Sequence, residues 1–279
     1  MPKTNPGEYR VVGTIEVPDW RGTSNHFQGI APLNGVAAIT GQISASADDW
    51  WCASFAQTGN PATVNAVFGS TNYDHAGGIQ RLGDLLAVPL ENDQGKATVA
   101  FYDVAGSPRY LYEIGPRTGK ASAVGITNYR DEVGIEHAML LVYRYDPKSF
   151  YVYRARIDKL TLGENDWKYV TETRSIETED DDQYQCFALV TEMRATGDSV
   201  VLLGFREDEE VVRYYVDTGS TNYGEISPVQ WTYVGWDGSQ WRYGVGLQIS
   251  SPTQIRIFGC SEDPHGDRDD YEFPIYYWQ

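Results

Sequence analysis

The chain has 279 residues, of which 41% are hydrophobic and 13% aromatic, so it is long enough to bury a sizeable core. Its formal net charge of −17 opposes binding to phosphate backbones and to anionic membrane surfaces, so we expect neither a nucleic-acid nor a membrane partner. No apolar run is long enough to span a bilayer, and the first residues lack the apolar core of a signal peptide. We therefore expect a soluble, acidic protein, either cytoplasmic or secreted after removal of a signal, and the sequence does not choose between these compartments.

The predicted elements are short β-rich runs separated by Gly, Asp, Asn and Pro, and helical periodicity is almost absent. The first run, "EYRVVGTIEVP" (8–18), precedes a series of repeats. Each repeat begins with a small residue followed by an aliphatic one. The five starts are Gly29-Ile30, Gly78-Ile79, Gly125-Ile126, Ala188-Leu189 and Gly246-Leu247. Successive starts are 49, 47, 63 and 58 residues apart. Periods of this length indicate a repeat architecture.

Each of the first four repeats contains four strand-like runs. The second repeat, for example, reads "GGIQRL", "DLLAVPLE", "KATVAFYDV" and "RYLYEIG". The fifth repeat supplies only three runs before Gln279, and the run at 8–18 can complete it from the other end of the chain. Four-stranded radial repeats predict an all-β fold: a single domain, residues 1–279, that forms a five-bladed β-propeller whose N-terminal strand closes the last blade.

On this repeat series the chain resembles five-bladed β-propellers as a class, and no specific family is indicated. Known members of the class include sugar-cleaving enzymes similar to arabinanases and glycan-binding lectins similar to tachylectin. The aspartate-first motif of arabinanase-like enzymes is not present, and neither are the Gly-His and Trp-Asp pairs of WD40 repeats in register. The resemblance implies the propeller fold, while a function has to be argued from the site residues.

In a propeller the first strand of each blade lies nearest the axis, and its N-terminal end opens at one mouth of the central channel. Three residues before each repeat start the sequence has a polar or amphipathic side chain, and Gln80 follows the second start. We predict a binding site for a small polar molecule or glycan at this mouth, formed by His26, His75, Gln80, Ser122, Gln185 and Tyr243. The same side chains also suit a wet channel with a structural role, or a catalytic site, so three interpretations stay open.

No metal and no cofactor are predicted. Two histidines on neighbouring blades are fewer than the three or four ligands of a zinc site, and Ser122 is a poor third ligand. Two acidic stretches, 177–183 and 261–272, lack the spacing of a calcium loop and are interpreted as solvated loops. The three cysteines are widely spaced, so free thiols are expected, and Cys186 in "YQCFALV" is interpreted as buried and inert.

A hydrolase that uses the same channel site is the first alternative function. Glycoside hydrolysis needs two carboxylates across the scissile bond. Four acidic residues flank or follow the predicted inner strands: Asp74, Glu91, Asp182 and Glu192. A protein-interaction scaffold without a small ligand is the second alternative, so a protein partner also stays open. We expect a monomer and leave open whether the chain is an enzyme.

Overall fold

The structure is a computed structural model of the chain. It describes residues 10–17, 26–33, 36–42, 50–56, 64–68, 73, 75–92, 94–115, 119–145, 148–158, 162–173, 184–206, 210–219, 223–233, 244–251, 254–260 and 271–278. Strands occupy most of these ranges, and one short 3-10 helix, Glu164–Asp166, interrupts them. The chain is therefore all-β in the part that the structure describes, as the sequence predicts.

In chain order the strands are β1 (Arg10–Val17), β2 (His26–Pro32), β3 (Val36–Gln42), β4 (Trp50–Ala56), β5 (Val64–Phe68), β6 (His75–Ala76), β7 (Gln80–Leu82), β8 (Leu85–Glu91), β9 (Ala97–Asp103), β10 (Arg109–Ile114), β11 (Ala123–Arg130), β12 (Glu136–Arg144), β13 (Ser149–Arg156), β14 (Lys168–Glu172), β15 (Tyr184–Glu192), β16 (Ser199–Arg206), β17 (Glu210–Val216), β18 (Ile226–Tyr233), β19 (Val245–Ser251), β20 (Gln254–Cys260) and β21 (Tyr271–Trp278). Strands in the middle of a sheet, such as β8 and β12, are buried on both faces because neighbouring sheets cover them. The outermost strand β14 alternates between exposed and half-buried residues, as expected for a half-solvated strand.

Hydrogen bonding groups the described strands into four sheets. Three of them follow the chain as β6–β10, β11–β14 and β15–β18, the first with its inner strand split into β6 and β7. The other sheet has eight strands in the order β1-β21-β20-β19-β2-β3-β4-β5. Its two halves meet at one parallel pair, Val245 and Gly29. Five separate sheets were predicted, and hydrogen bonding gives four because β19 and β2 lie close enough to pair with each other.

The N-terminal strand pairs with the C-terminal strand. β1 runs antiparallel to β21 from the pair of Arg10 with Tyr277 to the pair of Val17 with Tyr271. This pairing joins the two ends of the chain in one sheet and confirms the predicted position of the run at 8–18.

The first strands of successive sheets lie side by side. Gly78 forms a parallel bridge with Ala123 at the start of β11. β11 packs along β15, β15 contacts β19, and β19 pairs with β2. Since the inner strands contact one another in this cyclic order and each carries an antiparallel meander outward, the sheets have the arrangement of a β-propeller.

Glycines on the inner strands allow this close approach. A Cβ atom on Gly29 would lie 2.6 Å from the backbone nitrogen of Ile79, and one on Gly246 would lie 1.8 Å from the carbonyl oxygen of Ile30. Neither backbone atom can move aside as a flexible side chain could. The small residue at these two repeat starts is therefore confirmed as a packing requirement of neighbouring inner strands.

Aromatic and aliphatic side chains fill the space between neighbouring sheets. On one face of the β11–β14 sheet, Trp167 stacks on Phe101 of β9 with ring centroids 5.5 Å apart. On the other face, Tyr143 packs against Phe187 of β15 at 4.7 Å. The apolar core therefore lies in layers between sheets, which places polar side chains at the sheet ends, where strands begin and finish.

Candidate functional site

A buried glutamate, Glu91, gathers polar groups at one end of the second and third repeats. The Nδ1 atom of His75 lies 3.3 Å from Oε1 of Glu91, and the Nζ atom of Lys120 lies 3.5 Å from the same oxygen. Oε2 accepts a 2.8 Å hydrogen bond from the Ala121 N–H and a 3.4 Å one from the Ser122 hydroxyl. We refer to Glu91, His75, Lys120 and Ser122 as the Glu91 cluster.

The ends of three strands bring the Glu91 cluster together. β6 begins at His75, which pairs directly with Glu91, the last residue of β8. β11 begins immediately after Ser122, and it is the parallel neighbour of the inner strand of the second repeat. The cluster therefore lies at the N-terminal ends of two adjacent inner strands, which is the end predicted to open at the channel mouth.

The surroundings of Glu91 keep its side chain ionised. Burial opposes the charge and by itself raises the pKa of Glu91, since only 8% of the side chain is exposed. The neighbouring imidazole of His75, the hydrogen bond from the Ala121 N–H and the charge of Lys120 together outweigh burial and hold the pKa of Glu91 below its ordinary value. Glu91 is therefore a pure hydrogen-bond acceptor at neutral pH, ringed by donors on side chains that are partly open to solvent.

Two of the predicted ligand residues, His75 and Ser122, thus meet through Glu91. Lys120 was not predicted, because a lysine in a loop gives no sequence signal of its own. The only available signal was its position two residues before Ser122. The ion pair of Lys120 depends on Glu91, which lies 29 residues earlier in the chain. Glu91 reaches this position only when β8 folds back along β6.

Gln80 connects three inner strands. Its Oε1 atom accepts 2.8 Å hydrogen bonds from the N–H groups of Ile126 and Leu189, and its Nε2 atom donates to the Leu189 carbonyl at 2.9 Å. The side chain therefore joins β7 to β11 and β15. An amide side chain has two acceptor and two donor positions, and backbone groups occupy three of the four in Gln80.

Several of the other predicted positions lie outside the part of the chain whose side chains the structure describes. His26 and Gln185 lie in β2 and β15, but their side chains are not described. The residues that lie wholly outside the described ranges are Tyr243, Asp74, Asp182, the acidic stretch 177–183 and all of the stretch 261–272 except its last two residues, which begin β21.

Glu192 lies at the other end of the inner strands. It is the last residue of β15, and it forms ion pairs with Arg194 at 3.1 Å and with Arg213. Because the inner strands run parallel, Glu91 and Glu192 are at opposite ends of the propeller. These two carboxylates cannot flank one glycosidic bond.

Cys186 is buried near the axis and held by backbone groups. Its thiol donates to the carbonyl of Gln28 at 3.0 Å, and its sulfur accepts the N–H of Val245 at 3.3 Å. Complete burial raises the pKa of Cys186 to about 12, against the smaller opposite effect of the Val245 N–H. The prediction of a buried, free thiol is confirmed, and a thiol with this pKa is a poor nucleophile at neutral pH.

Within the described ranges, no three His, Cys, Asp or Glu side chains lie close enough together to hold a metal ion. The same part of the chain contains no helix of the length and apolar character needed to cross a membrane.

Comparisons with known proteins detect only structural likeness. No protein-family profile matches the chain, and no curated protein sequence matches it. Among solved structures it is similar to a GH43 β-xylosidase/α-arabinofuranosidase from a compost microbial metagenome in complex with xylotriose, with 10% identity, a TM-score of 0.52, and coverage of 97% of this chain and 95% of that one. It is also similar to a GH43_1 enzyme from Xanthomonas citri complexed with xylose, with 9% identity, a TM-score of 0.49, and coverage of 94% and 89%. The first of these likenesses shows the β-propeller fold over nearly the whole chain.

Proposed function

We propose that the chain is a single domain, residues 1–279, with five propeller blades, and that it binds a carbohydrate at the mouth of the central channel. The eight-stranded sheet supports this blade count because it divides at the single Val245–Gly29 pair into two groups of four strands. With the three other sheets, these groups make five units around the axis. The mouth is then bordered by the first residues of five inner strands.

The observation that carries the proposal is the Glu91 cluster. A sugar hydroxyl can donate one hydrogen bond and accept others, so it is best bound where an acceptor and several donors converge. Glu91 is an ionised acceptor, and His75 and Lys120 are donors beside it, with 22% and 40% of their side chains exposed. Since the Ala121 N–H already fixes the carboxylate, these groups need little reordering when a ligand binds.

The structural comparison supports the choice of ligand class. The propeller to which this chain is similar with a TM-score of 0.52 was crystallised with xylotriose, a neutral oligosaccharide. An acidic sugar would be repelled by the net charge of −17 and by the ionised carboxylate of Glu91 at the mouth. A neutral sugar is not repelled in this way. Xylotriose is therefore the first ligand to test.

Glycoside hydrolysis is the second candidate, because the same structural neighbour is a β-xylosidase/α-arabinofuranosidase and Glu91 is an ionised carboxylate at the mouth. In such a reaction Glu91 would be the base or nucleophile, since its lowered pKa does not suit a general acid. No second carboxylate joins the cluster among the described residues. A hydrolase would need one from outside them, for which the sequence offers Asp74 and Asp182.

Isothermal titration with xylotriose tests the binding proposal. We expect Glu91→Gln to weaken binding about tenfold or more, because the variant loses a charge-assisted hydrogen bond worth about 1.5–3 kcal/mol. Glu192→Gln is the matched control, since it makes the same substitution at the opposite end of the inner strands. The affinity of this variant for xylotriose should stay within about twofold of the wild-type value. If Glu91→Gln does not fold, as judged by circular dichroism, Lys120→Gln at the exposed rim replaces it.

Two results decide between the candidates. Release of nitrophenol from nitrophenyl β-xyloside or α-arabinofuranoside by the wild type, reduced about 100-fold or more in Glu91→Gln, would establish hydrolysis. Binding without turnover would establish a carbohydrate-binding propeller. If neutral oligosaccharides do not bind at millimolar concentration, or if Glu192→Gln weakens binding as much as Glu91→Gln, the proposed site is wrong.

A further inference from the structure

A second group of polar side chains lies on the β11–β14 sheet, at the end of the strands opposite the Glu91 cluster. The strand register aligns Tyr129 with His137 and His137 with Arg156 in one row across β11, β12 and β13. Two residues along β13, Arg154 stands directly opposite Lys168 of β14. Directly opposed residues project to the same face of a sheet, as do residues two apart in one strand. Arg154, Arg156 and Lys168 therefore share one face, and we refer to them as the basic triad.

The basic triad is open to solvent. Arg154, Arg156 and Lys168 are all exposed, whereas Ala155 between the two arginines is buried in the core on the other face. Opposed residues in neighbouring strands have Cβ atoms about 5 Å apart. Residues two apart in a strand are separated by roughly 7 Å. The Lys168 ammonium donates to the Asn165 carbonyl at 2.8 Å, and the three side chains start close enough together for their charged ends to reach one small anion.

Within the described residues, the triad differs from several other cations in forming no ion pair. Arg109, for example, pairs with Asp103 at 3.1 Å, and Arg130 pairs with Asp198 at 3.6 Å. No carboxylate among the described residues forms an ion pair with Arg154, Arg156 or Lys168. The directly opposed pair of Arg154 and Lys168 is a repulsive contact. In a protein with 39 acidic residues and 22 Lys and Arg, a basic face without an ion pair among the described residues needs an explanation.

One carboxylate at this end of the sheet, that of Asp131, is already occupied. One oxygen of Asp131 accepts backbone hydrogen bonds from Val133 and Ile135, at 3.1 and 2.8 Å. Its other oxygen lies 3.1 Å from Nε2 of His137. Asp131 therefore organises the β11–β12 turn and His137 and does not neutralise the basic triad.

Aromatic side chains hold Arg154 in place. Its guanidinium lies 4.9 Å from the ring centroid of Tyr223, which reaches over from the neighbouring β15–β18 sheet. The Tyr223 hydroxyl is 2.8 Å from the hydroxyl of Tyr129, whose ring stacks on His137 at 5.4 Å. A guanidinium already held by an aromatic ring and by the Tyr129 side chain loses little side-chain entropy when an anion binds.

We propose that the basic triad is a binding site for an oxyanion, a carboxylate, sulfate or phosphate group, located between the third and fourth repeats and separate from the channel mouth. Arg154 and Arg156 present planar forks that match the paired oxygens of such a group, and Lys168 adds a point charge. A bound oxyanion neutralises the repulsion between Arg154 and Lys168. This proposal does not depend on the function proposed for the Glu91 cluster.

Isothermal titration at constant ionic strength tests the site, with sulfate, phosphate and glucuronate as probes and glucose as the uncharged comparison. We expect the wild type to bind at least one oxyanion and Arg156→Gln to weaken that binding about tenfold or more, because a charge-assisted bidentate contact is lost. Arg109→Gln is the matched control: it removes the same charge from an exposed strand position outside the triad. The affinity of Arg109→Gln for the oxyanion should stay within about twofold of the wild-type value.

The probes also identify the source of the oxyanion. Preference for glucuronate indicates an acidic sugar, and equal or tighter binding of sulfate or phosphate indicates an inorganic or ester group. The proposal is wrong if no oxyanion binds more tightly than chloride, or if Arg109→Gln weakens binding as much as Arg156→Gln. Titrations of the same variants with xylotriose distinguish the basic triad from the channel site. Arg156→Gln should weaken oxyanion binding but leave the affinity for xylotriose unchanged.

Discussion

At the scale of single residues, the same kind of polar side chain serves two purposes in this protein. Gln80 and His75 were both predicted as ligand residues because they flank the second repeat start. His75 contacts Glu91 at the end of its strand, whereas the carboxamide of Gln80 is bonded to the backbone of Ile126 and Leu189. The sequence could mark both positions as polar, but it could not show that one side chain contacts a buried carboxylate and the other completes the hydrogen bonding of neighbouring strands.

We predict that Gln80→Ala destabilises the protein by about 3 kcal/mol, since three hydrogen bonds of about 1 kcal/mol each are removed and buried backbone groups lose their partner. Urea unfolding followed by tryptophan fluorescence measures this change. Gln94→Ala is the matched control, because Gln94 is exposed in a turn and its loss should change stability by less than about 0.5 kcal/mol. Unchanged stability of Gln80→Ala together with lost ligand binding would instead assign Gln80 to the ligand site.

At the scale of elements, the small residues at the repeat starts are explained by the crowding of inner strands. The pattern of a small residue before an aliphatic one was visible in the sequence, and the contact of Gly246 with the Ile30 carbonyl gives its reason. The identity of the touching strands was not visible, because Gly246 and Ile30 come from the last and first repeats. Only the closure of the ring brings them together.

We expect Gly246→Ala to destabilise the protein by about 3 kcal/mol or more, or to prevent folding, because the added methyl group would overlap a backbone carbonyl that cannot yield. Gly106→Ala provides the comparison. Gly106 lies in an exposed turn between β9 and β10 with open space around it, so alanine there should change stability by no more than about 0.5 kcal/mol. Thermal unfolding of both variants measures the difference, and equal effects would refute the crowding argument.

At the scale of the whole molecule, the pairing of β1 with β21 joins the chain ends. Without the β1–β21 pairing, the first and last repeats would be held together by the contacts of β2 with β19 and β20. Pairing of terminal strands was predictable, because the fifth repeat is one strand short in the sequence. The merging of two repeats into one eight-stranded sheet was not, since it depends on a single parallel pair.

Deletion of residues 1–17 should lower the midpoint of urea unfolding, because β21 loses its hydrogen-bonded neighbour and exposes a sheet edge. Deletion of residues 1–9, which ends before β1, serves as the control and should leave the midpoint close to that of the full chain. A peptide of residues 8–18, added in excess, should bind the shortened protein and raise its midpoint again. If both deletions behave like the full chain, the terminal pairing contributes nothing to stability.

The sequence by itself determined the all-β class, the repeat series, the completion of the last repeat by the N-terminal strand and the burial of Cys186. These features follow from local composition and from spacing along the chain, which are readable one segment at a time. The tertiary structure alone decided that Glu91 meets Lys120, that Gln80 is bonded to β15, and that Arg154 and Lys168 stand opposed on one face. Those contacts join groups distant in the chain or paired by register, so they exist only once strands have been aligned and packed around a common axis.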